Sequence, residues 1–355
     1  MLTVLVVDDS ALMRRALREA LQAEQDIRVE IARNGEDALE QVRRLRPDVI
    51  TLDIHMPTMD GLTCLSHLMV MDNPCPVIMV SSLTEKGALA TFEAIELGAF
   101  DYVAKPGGTI STDLESIQRD LVAKVRAAAT GRRGTGQPAR HAVEPPPPRA
   151  PVKTAPAGRA SERLLVIGVS TGGPRTLEQI LPRLPAGLDW PVLVIQHMPA
   201  SFTSVFARRL DGMCPMAVQE VGRPTALEPG VIYIARGDAD ITLSRRAQGL
   251  TLVPTPANPD FLWHPSVGRF LESADDLVDA DALVGVMLTG MGDDGAAAMA
   301  AWHRRGARTI AESEETAVVF GMPNELIKQG GAQETLPCDR IGACLLDWLR
   351  DGEVA

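Results

Sequence analysis

Three short stretches carry residues that can do chemistry together. VIGVSTGGP at 166–174 sets Ser170 in a glycine-rich turn, after an apolar run and before a helical pattern. A second apolar run at 192–195 ends on Gln196 and His197, and a third leads into LTGMGDDGA at 288–296, with Asp293 and Asp294. If the three runs are neighbouring parallel strands, a serine, a histidine and an aspartate meet in one crevice at the strand ends. That trio suits nucleophilic acyl transfer, in which histidine takes the serine proton and the acid fixes the imidazole tautomer. Gly172, Gly173, Gly290, Gly292 and Gly295 let backbone approach closely and leave amide donors for a developing oxyanion. Other readings of the same residues stay open. Ser170 can cap a helix or hold a phosphate, His197 can be a loop histidine, and Asp294 can cap the helix that starts near Gly295. Dinucleotide binding through Gly168, Gly172 and Gly173 is a weaker rival. Ser170 fills the central glycine position of GxGxxG, and Asp189 precedes the second strand instead of ending it.

A second group sits near the start of the chain. Asp8 and Asp9 follow the run TVLVV at 3–7, Asp53 follows Val49–Leu52, Ser81 follows Val77–Val80, and Lys105 follows Phe100–Val103. Carboxylates gathered at strand ends repel one another unless a hard cation such as Mg²⁺ compensates them. Asp53 is therefore a candidate phosphoacceptor, with Asp8 and Asp9 holding the metal, Lys105 pairing with the phosphoryl group and Ser81 hydrogen-bonding to it. The bland alternative has Asp8 and Asp9 capping the first helix. The Lys105–Pro106 bond is a candidate cis bond.

The elements that must position these groups follow from hydrophobic periodicity. In the first part, five apolar runs alternate with amphipathic helical patterns such as Leu12, Ala16, Leu17 and Leu21. That order predicts a doubly wound parallel (βα)5 sheet. Residues 131–160 hold seven prolines and almost no large apolar side chain, so they cannot bury enough surface to offset ordering entropy. They read as a Pro/Arg-rich linker over 130–161, between domains at 1–129 and 162–350. After it, runs at 164–169, 192–195, 231–234, 282–288 and 309–311 predict a second doubly wound, mostly parallel α/β domain. Runs at 241–243 and 250–253 pair as an antiparallel hairpin, and 326–329 and 341–349 read as helical.

Composition narrows the function classes. The 355 residues are 45% hydrophobic and carry a net charge of −11. An acidic chain has no general attraction to nucleic acid, and nothing after the linker reads as a helix-turn-helix domain, so a transcription factor is disfavoured. Five cysteines without a CxxC pair point to reduced thiols in the cytosol rather than disulfides or structural zinc. The opening MLTVLVVDDS lacks a basic leader, and no apolar run is long enough to span a bilayer. A cytoplasmic protein with no membrane insertion is expected.

Residues 1–125 resemble a two-component receiver domain, through VVDDS at 6–10, DIHMPTMDG at 53–61, SS at 81–82 and KP at 105–106. The resemblance implies phosphorylation of Asp53 by a histidine kinase. It implies Mg²⁺ held by Asp8, Asp9, Asp53 and the main-chain carbonyl of His55, with Ser81 as switch hydroxyl and Lys105 as phosphate partner. The second domain resembles the catalytic domain of the chemotaxis protein-glutamate methylesterase family. The matching stretches are GVSTGGP at 168–174, QHMPASFTSVFARRL at 196–210, HPSV at 264–267, GVMLTGMGDDGA at 285–296 and AESEETAVVFGMP at 311–323. This resemblance casts Ser170 as nucleophile, His197 as base and Asp294 as acid, with Thr171 and the backbone amide of Met291 as oxyanion stabilisers. It implies hydrolysis of glutamyl methyl esters, and deamidation of selected glutamines, on chemoreceptor cytoplasmic domains. It also implies a receiver that covers the active-site crevice until phosphorylated. A phosphorylation-controlled scaffold with a degenerate esterase fold is the alternative of a different class. Three departures from the family pattern, Gly268 after HPSV, Val221–Arg223 and the YIARGDADI stretch, are expected to bear on docking and to touch none of the triad.

Overall fold

The computed structural model describes residues 1–105, 114–131 and 161–350. The chain divides into two compact units, Met1–Ala139 and Arg140–Ala355. Most of the expected linker and the Lys105–Pro106 bond lie outside the described residues.

The first unit runs β1 (Leu2–Val7), α1 (Ala11–Gln22), β2 (Ile27–Ala32), α2 (Gly35–Leu45), β3 (Val49–Asp53), α3 (Gly61–Met69), β4 (Val77–Ser81), α4 (Glu85–Leu97), β5 (Asp101–Ala104) and α5 (Leu114–Gly131). The five strands form one sheet in the order β2-β1-β3-β4-β5, every pair parallel. Residues of β3 and β4 are buried on both faces, so these strands read as unbroken apolar runs rather than alternating ones. Side-chain caps start the helices sharply. Ser10, Asn34, Asp60 and Thr84 each accept a hydrogen bond from the amide three residues on. Such a cap contributes about 1 kcal/mol and fixes where the preceding loop ends. Val4, Val6, Ile78 and Val80 pack with Leu17, Leu21, Leu121 and Val125 into the core that holds the sheet rigid beneath its loops.

The second unit runs β6 (Leu164–Val169), α6 (Gly173–Ile180), β7 (Val192–Gln196), α7 (Ala200–Met213), β8 (Ala217–Val221), β9 (Thr225–Ala226), β10 (Val231–Ala235), β11 (Asp240–Arg246), β12 (Gly249–Thr255), α8 (Val267–Ala274), β13 (Leu283–Met287), α9 (Ala296–Arg304), β14 (Arg308–Glu312), α10 (Met322–Lys328), β15 (Glu334–Leu336) and α11 (Cys338–Arg350). Seven parallel strands are ordered β15-β14-β13-β6-β7-β10-β8, and β11, β12 and β9 form a small antiparallel sheet. The expected doubly wound core and its hairpin are both present. Strands β8, β9 and β15 were not anticipated. Strand order reverses around β6, whose two neighbours are β13 and β7, so the crevice at its carboxyl end is where a ligand binds in such sheets. Phe270, Trp302, Met299 and Val267 fill the core beneath that crevice. No helix among the described residues is long and apolar enough to cross a membrane.

Candidate functional site

The register of the second sheet brings the chemistry-bearing residues together. Val169 pairs with Gln196, so Ser170 and His197 are the next residues of adjacent strands. The His197 amide donates to the Val169 carbonyl at 3.1 Å. On the other side of β6, the Ser170 amide donates to the Thr289 carbonyl at 2.9 Å. Ser170 and Thr171 are both buried. Gly172 turns the chain into α6 with φ +79, a conformation that disfavours any side chain, and a Cβ there would collide with Val318. Gly290 passes so close that its Cβ would stand 2.7 Å from that of Ser170. Only glycine allows the loop after β13 to lie against the serine.

Of the two adjacent acids, it is Asp294 that reaches the histidine, at 2.8 Å from Asp294 Oδ2 to His197 Nε2. Asp293 is exposed, and its carbonyl accepts the Ala296 amide. The Asp294 carboxylate is saturated with donors. Val267 N donates to Oδ2 at 2.7 Å, while Ser266 Oγ and Gly268 N donate to Oδ1 at 2.8 and 3.0 Å. Burial would raise the pKa of this carboxyl, but His197 and the amides of Gly268 and Val267 outweigh it and hold Asp294 below the usual range. The N-terminus of α8 thus acts as an anion cradle for an anion supplied by the protein itself. An ionised carboxylate only accepts, so Nε2 carries a hydrogen, and in the neutral imidazole Nδ1 is then the nitrogen with the free lone pair. Nδ1 is buried without a hydrogen-bond partner. Thr171 Oγ1, also buried, is likewise unpartnered. The Met291 amide makes no hydrogen bond within the protein among those found for the described residues.

In the first unit, Asp8 and Asp53 are buried at the ends of β1 and β3, and Lys105 Nζ pairs with both, at 3.0 and 2.8 Å. Asp8, Asp9 and Asp53 each offer an oxygen within 4.8 Å of the others. Burial, reinforced by Asp53, pushes the Asp8 carboxyl above its ordinary pKa, although Lys105 opposes this. Burial also works against the charge of Lys105, but Asp53 and Asp8 more than offset it and raise its pKa. Three hard oxygen donors with one cation among them fit a divalent metal of the Mg²⁺ type. The His55 amide donates to Asp53 Oδ1 at 3.4 Å, which sets the loop after β3 against the acid. Ser81 ends β4 beside Asp53, since Asp53 pairs with Val80. Its hydroxyl donates to the Gly87 carbonyl at 3.1 Å.

Comparison with known proteins adds the lineage. A model of the family described as CheB methylesterase matches residues 165–345, and one described as the response regulator receiver domain matches 4–112. The chain belongs to the CheB methylesterase family. The "protein-glutamate methylesterase/protein-glutamine glutaminase 3" of Rhodospirillum rubrum is 52% identical over 98% of this chain and 96% of its own. The "protein-glutamate methylesterase/protein-glutamine glutaminase 2" of Rhodopseudomonas palustris is 48% identical over 98% of each. Among solved structures, the CheB methylesterase catalytic domain of Thermotoga maritima is 36% identical, with a TM-score of 0.51, covering 53% of this chain and 98% of that one.

Within this family frame, one expectation needs correcting. Gly268 was expected to stand clear of the triad, but its amide donates directly to Asp294 Oδ1. A Cβ at this position would come within 3.1 Å of the same oxygen, so the residue after HPSV shapes the acid itself. The YIARGDADI stretch also reaches the site, through Asp240. This fully buried carboxylate accepts from Ser266 N at 3.2 Å, Asn258 N at 2.8 Å and His264 Nδ1 at 3.0 Å, and pairs with Arg269. Burial disfavours its charge, yet His264, Asn258 and Arg269 hold its pKa below the ordinary value. A support chain therefore runs from Asp240 to Ser266, Asp294 and His197.

Sequence reasoning also missed Trp263, whose indole stacks on the His197 imidazole with centroids 4.9 Å apart. Glu312 was missed too. It is fully buried, and its carboxylate accepts from Thr289 N at 2.8 Å and Thr316 Oγ1 at 2.9 Å. Burial pushes its pKa up to about 7. Thr289 Oγ1 in turn donates to the Thr171 carbonyl at 2.9 Å, which ties Glu312 to the serine turn. Neither residue belongs to a spacing pattern that marks chemistry.

Proposed function

We propose that the chain is a phosphorylation-controlled serine hydrolase of chemotaxis adaptation. It removes methyl esters from glutamates of chemoreceptor cytoplasmic domains, releasing methanol, and deamidates selected receptor glutamines. Its receiver occupies 1–129, its linker 130–161 and its catalytic domain 162–350, and it works in the cytoplasm without nucleic acid. The observation that carries the reading is the Asp294–His197 pair, which leaves Nδ1 as a buried, unpartnered base beside the Ser170 turn.

In this mechanism Ser170 Oγ attacks the side-chain carbonyl carbon as His197 Nδ1 takes its proton. The Thr171 hydroxyl and the Met291 amide donate to the oxyanion, which they meet only as charge develops. Collapse breaks the carbon–oxygen bond to methanol, or the carbon–nitrogen bond to ammonia, and the imidazolium protonates the leaving group. A water deprotonated by His197 then attacks the acyl-serine and frees the glutamate carboxyl group and Ser170. Asp294 stays ionised throughout, because its donors hold it so. One site serves both ester and amide, since both reactions transfer the same acyl group to water.

Control comes from the receiver. In this reading Asp53 takes a phosphoryl group from a histidine kinase, and Lys105, already paired with Asp53, and Ser81 contact that group. Asp8, Asp9, Asp53 and the His55 carbonyl would hold Mg²⁺, which when bound neutralises charge on the phosphoryl oxygens. The test is methanol release from methylated receptor membranes by wild type and Ser170→Ala. Release by wild type and none by the variant supports the reading. Equal release by both overturns the serine mechanism, and release by neither, across several receptors, overturns the assigned activity.

A further inference from the structure

Trp263 lies in the turn between β12 and α8, and its indole lies only 8° from parallel to the imidazole of His197. The bond from Nε2 to Asp294 fixes one atom of that ring. It does not fix the ring plane, which remains able to swing about the bond. A second, planar contact is needed for Nδ1 to stay aimed, and Trp263 supplies it. The indole also reaches the loop after β13, since a Cβ on Gly292 would come within 3.8 Å of Trp263 Nε1. The turn that carries the tryptophan is itself tethered. Asn258 N and Ser266 N, on either side of it, both donate to the buried Asp240 carboxylate, and Phe261 N donates to the Asn258 carbonyl at 3.0 Å.

The contact also discriminates between protonation states. A neutral imidazole gains only dispersion from the indole face, whereas an imidazolium gains attraction to its π electrons. During turnover the imidazolium forms as the serine proton is transferred, so this attraction acts on the reaction barrier rather than on substrate binding. We propose that Trp263 is a positioning residue for the acyl-transfer reaction: it holds the plane of His197 and stabilises the imidazolium formed during turnover. The proposal rests on the hydrolase reading given above.

The test compares the full-length wild type with Trp263→Phe and Trp263→Ala, each first shown to melt like wild type. Methanol release should lose about tenfold in kcat in W263A with little change in KM. W263F keeps an aromatic face and should recover most of that loss. A second readout needs no activity. Protonated imidazole quenches indole fluorescence, so lowering the pH should dim Trp263 emission in wild type. The charged groups on surrounding elements are Asp294 and Asp293 of the glycine loop and the cluster of Asp240, His264 and Arg269. Because His264 is the residue next to Trp263, His197→Gln is the control, and the pH-dependent component should vanish in both H197Q and W263F. The proposal is overturned if W263A keeps wild-type kcat, if its loss lies wholly in KM, if W263F gives no recovery, or if the quenching persists in H197Q. Should wild type release no methanol, the hydrolase reading fails, and the fluorescence titration still decides whether the stack senses the charge on His197.

Discussion

Asp8 and Asp294 are both buried carboxylates at the carboxyl ends of parallel sheets, and their surroundings differ in kind. Asp8 shares its pocket with another carboxylate and one lysine, and its pKa is raised. Asp294 receives three donors from the start of α8 and a fourth from His197, and its pKa is lowered. The first site is under-compensated, which is what a site needs if it is to take up a cation and then a phosphoryl group. The second is fully compensated, which is what a site needs if an anion is to stay fixed while a proton moves beside it. The same residue type serves opposite purposes because one sheet end gathers acids and the other aims a helix N-terminus at a single acid.

The largest effect expected from breaking this comparison is in Asp294→Asn. The amide cannot accept from every one of the four donors or fix the imidazole tautomer, and kcat should fall by about 10³-fold or more. Asp293→Asn should leave kcat within about twofold, since Asp293 makes no side-chain contact with His197. Methanol release under saturating receptor measures both.

The next effect is on stability, and its sign separates the two acids. A carboxyl whose folded pKa is raised binds more protons in the native than in the unfolded state. Its contribution therefore falls as pH rises from about 3.8 through the folded value. Asp8→Asn should remove that cost, so the metal-free variant should melt a few degrees above wild type at pH 7.5 and lose the advantage near pH 4. It should also lose most of the stabilisation that wild type gains from Mg²⁺. The lowered pKa of Asp294 works the other way. Its stabilisation is present above the unfolded pKa and is lost as pH falls through the folded one.

Glu312 sharpens the contrast with the smallest effect. It has two donors and no cation, and burial pushes its pKa up to about 7. Its burden on stability grows as pH rises from the ordinary 4.5 through about 7. Glu312→Gln retains an acceptor for Thr289 N and should flatten that part of the stability–pH curve, gaining roughly 1–3 kcal/mol at pH 8 relative to pH 5. Denaturant unfolding at the two pH values reads it directly.

How far the sequence reveals this depends on how local each feature is. Ser170, His197, the Asp293–Asp294 pair, Asp53 and Lys105 were legible because buried parallel strands read as apolar runs, and their carboxyl ends mark where a crevice opens; the choice of Asp294 over Asp293 came from the resemblance to the family motif. Strands β9 and β15 were not legible, having two and three residues and no apolar run. Strand β8 is partly exposed and also escaped. The partners of Asp294 stayed hidden for a different reason. Ser266, Val267 and Gly268 lie far from it in sequence, as Trp263 lies far from His197, and only the way α8 and the turn before it pack across the sheet end brings these groups together. A departure such as Gly268 therefore reads as peripheral in the sequence and proves central in space.

The central claim is that a charge placed on Asp53 governs chemistry at Ser170. The direct measurement is methanol release by the full-length chain, with and without a small-molecule phosphodonor and Mg²⁺, in wild type and Asp53→Asn. Stimulation of wild type and none of D53N is the predicted result. Equal stimulation of the two, or none of either in a chain that hydrolyses the ester, would contradict the account.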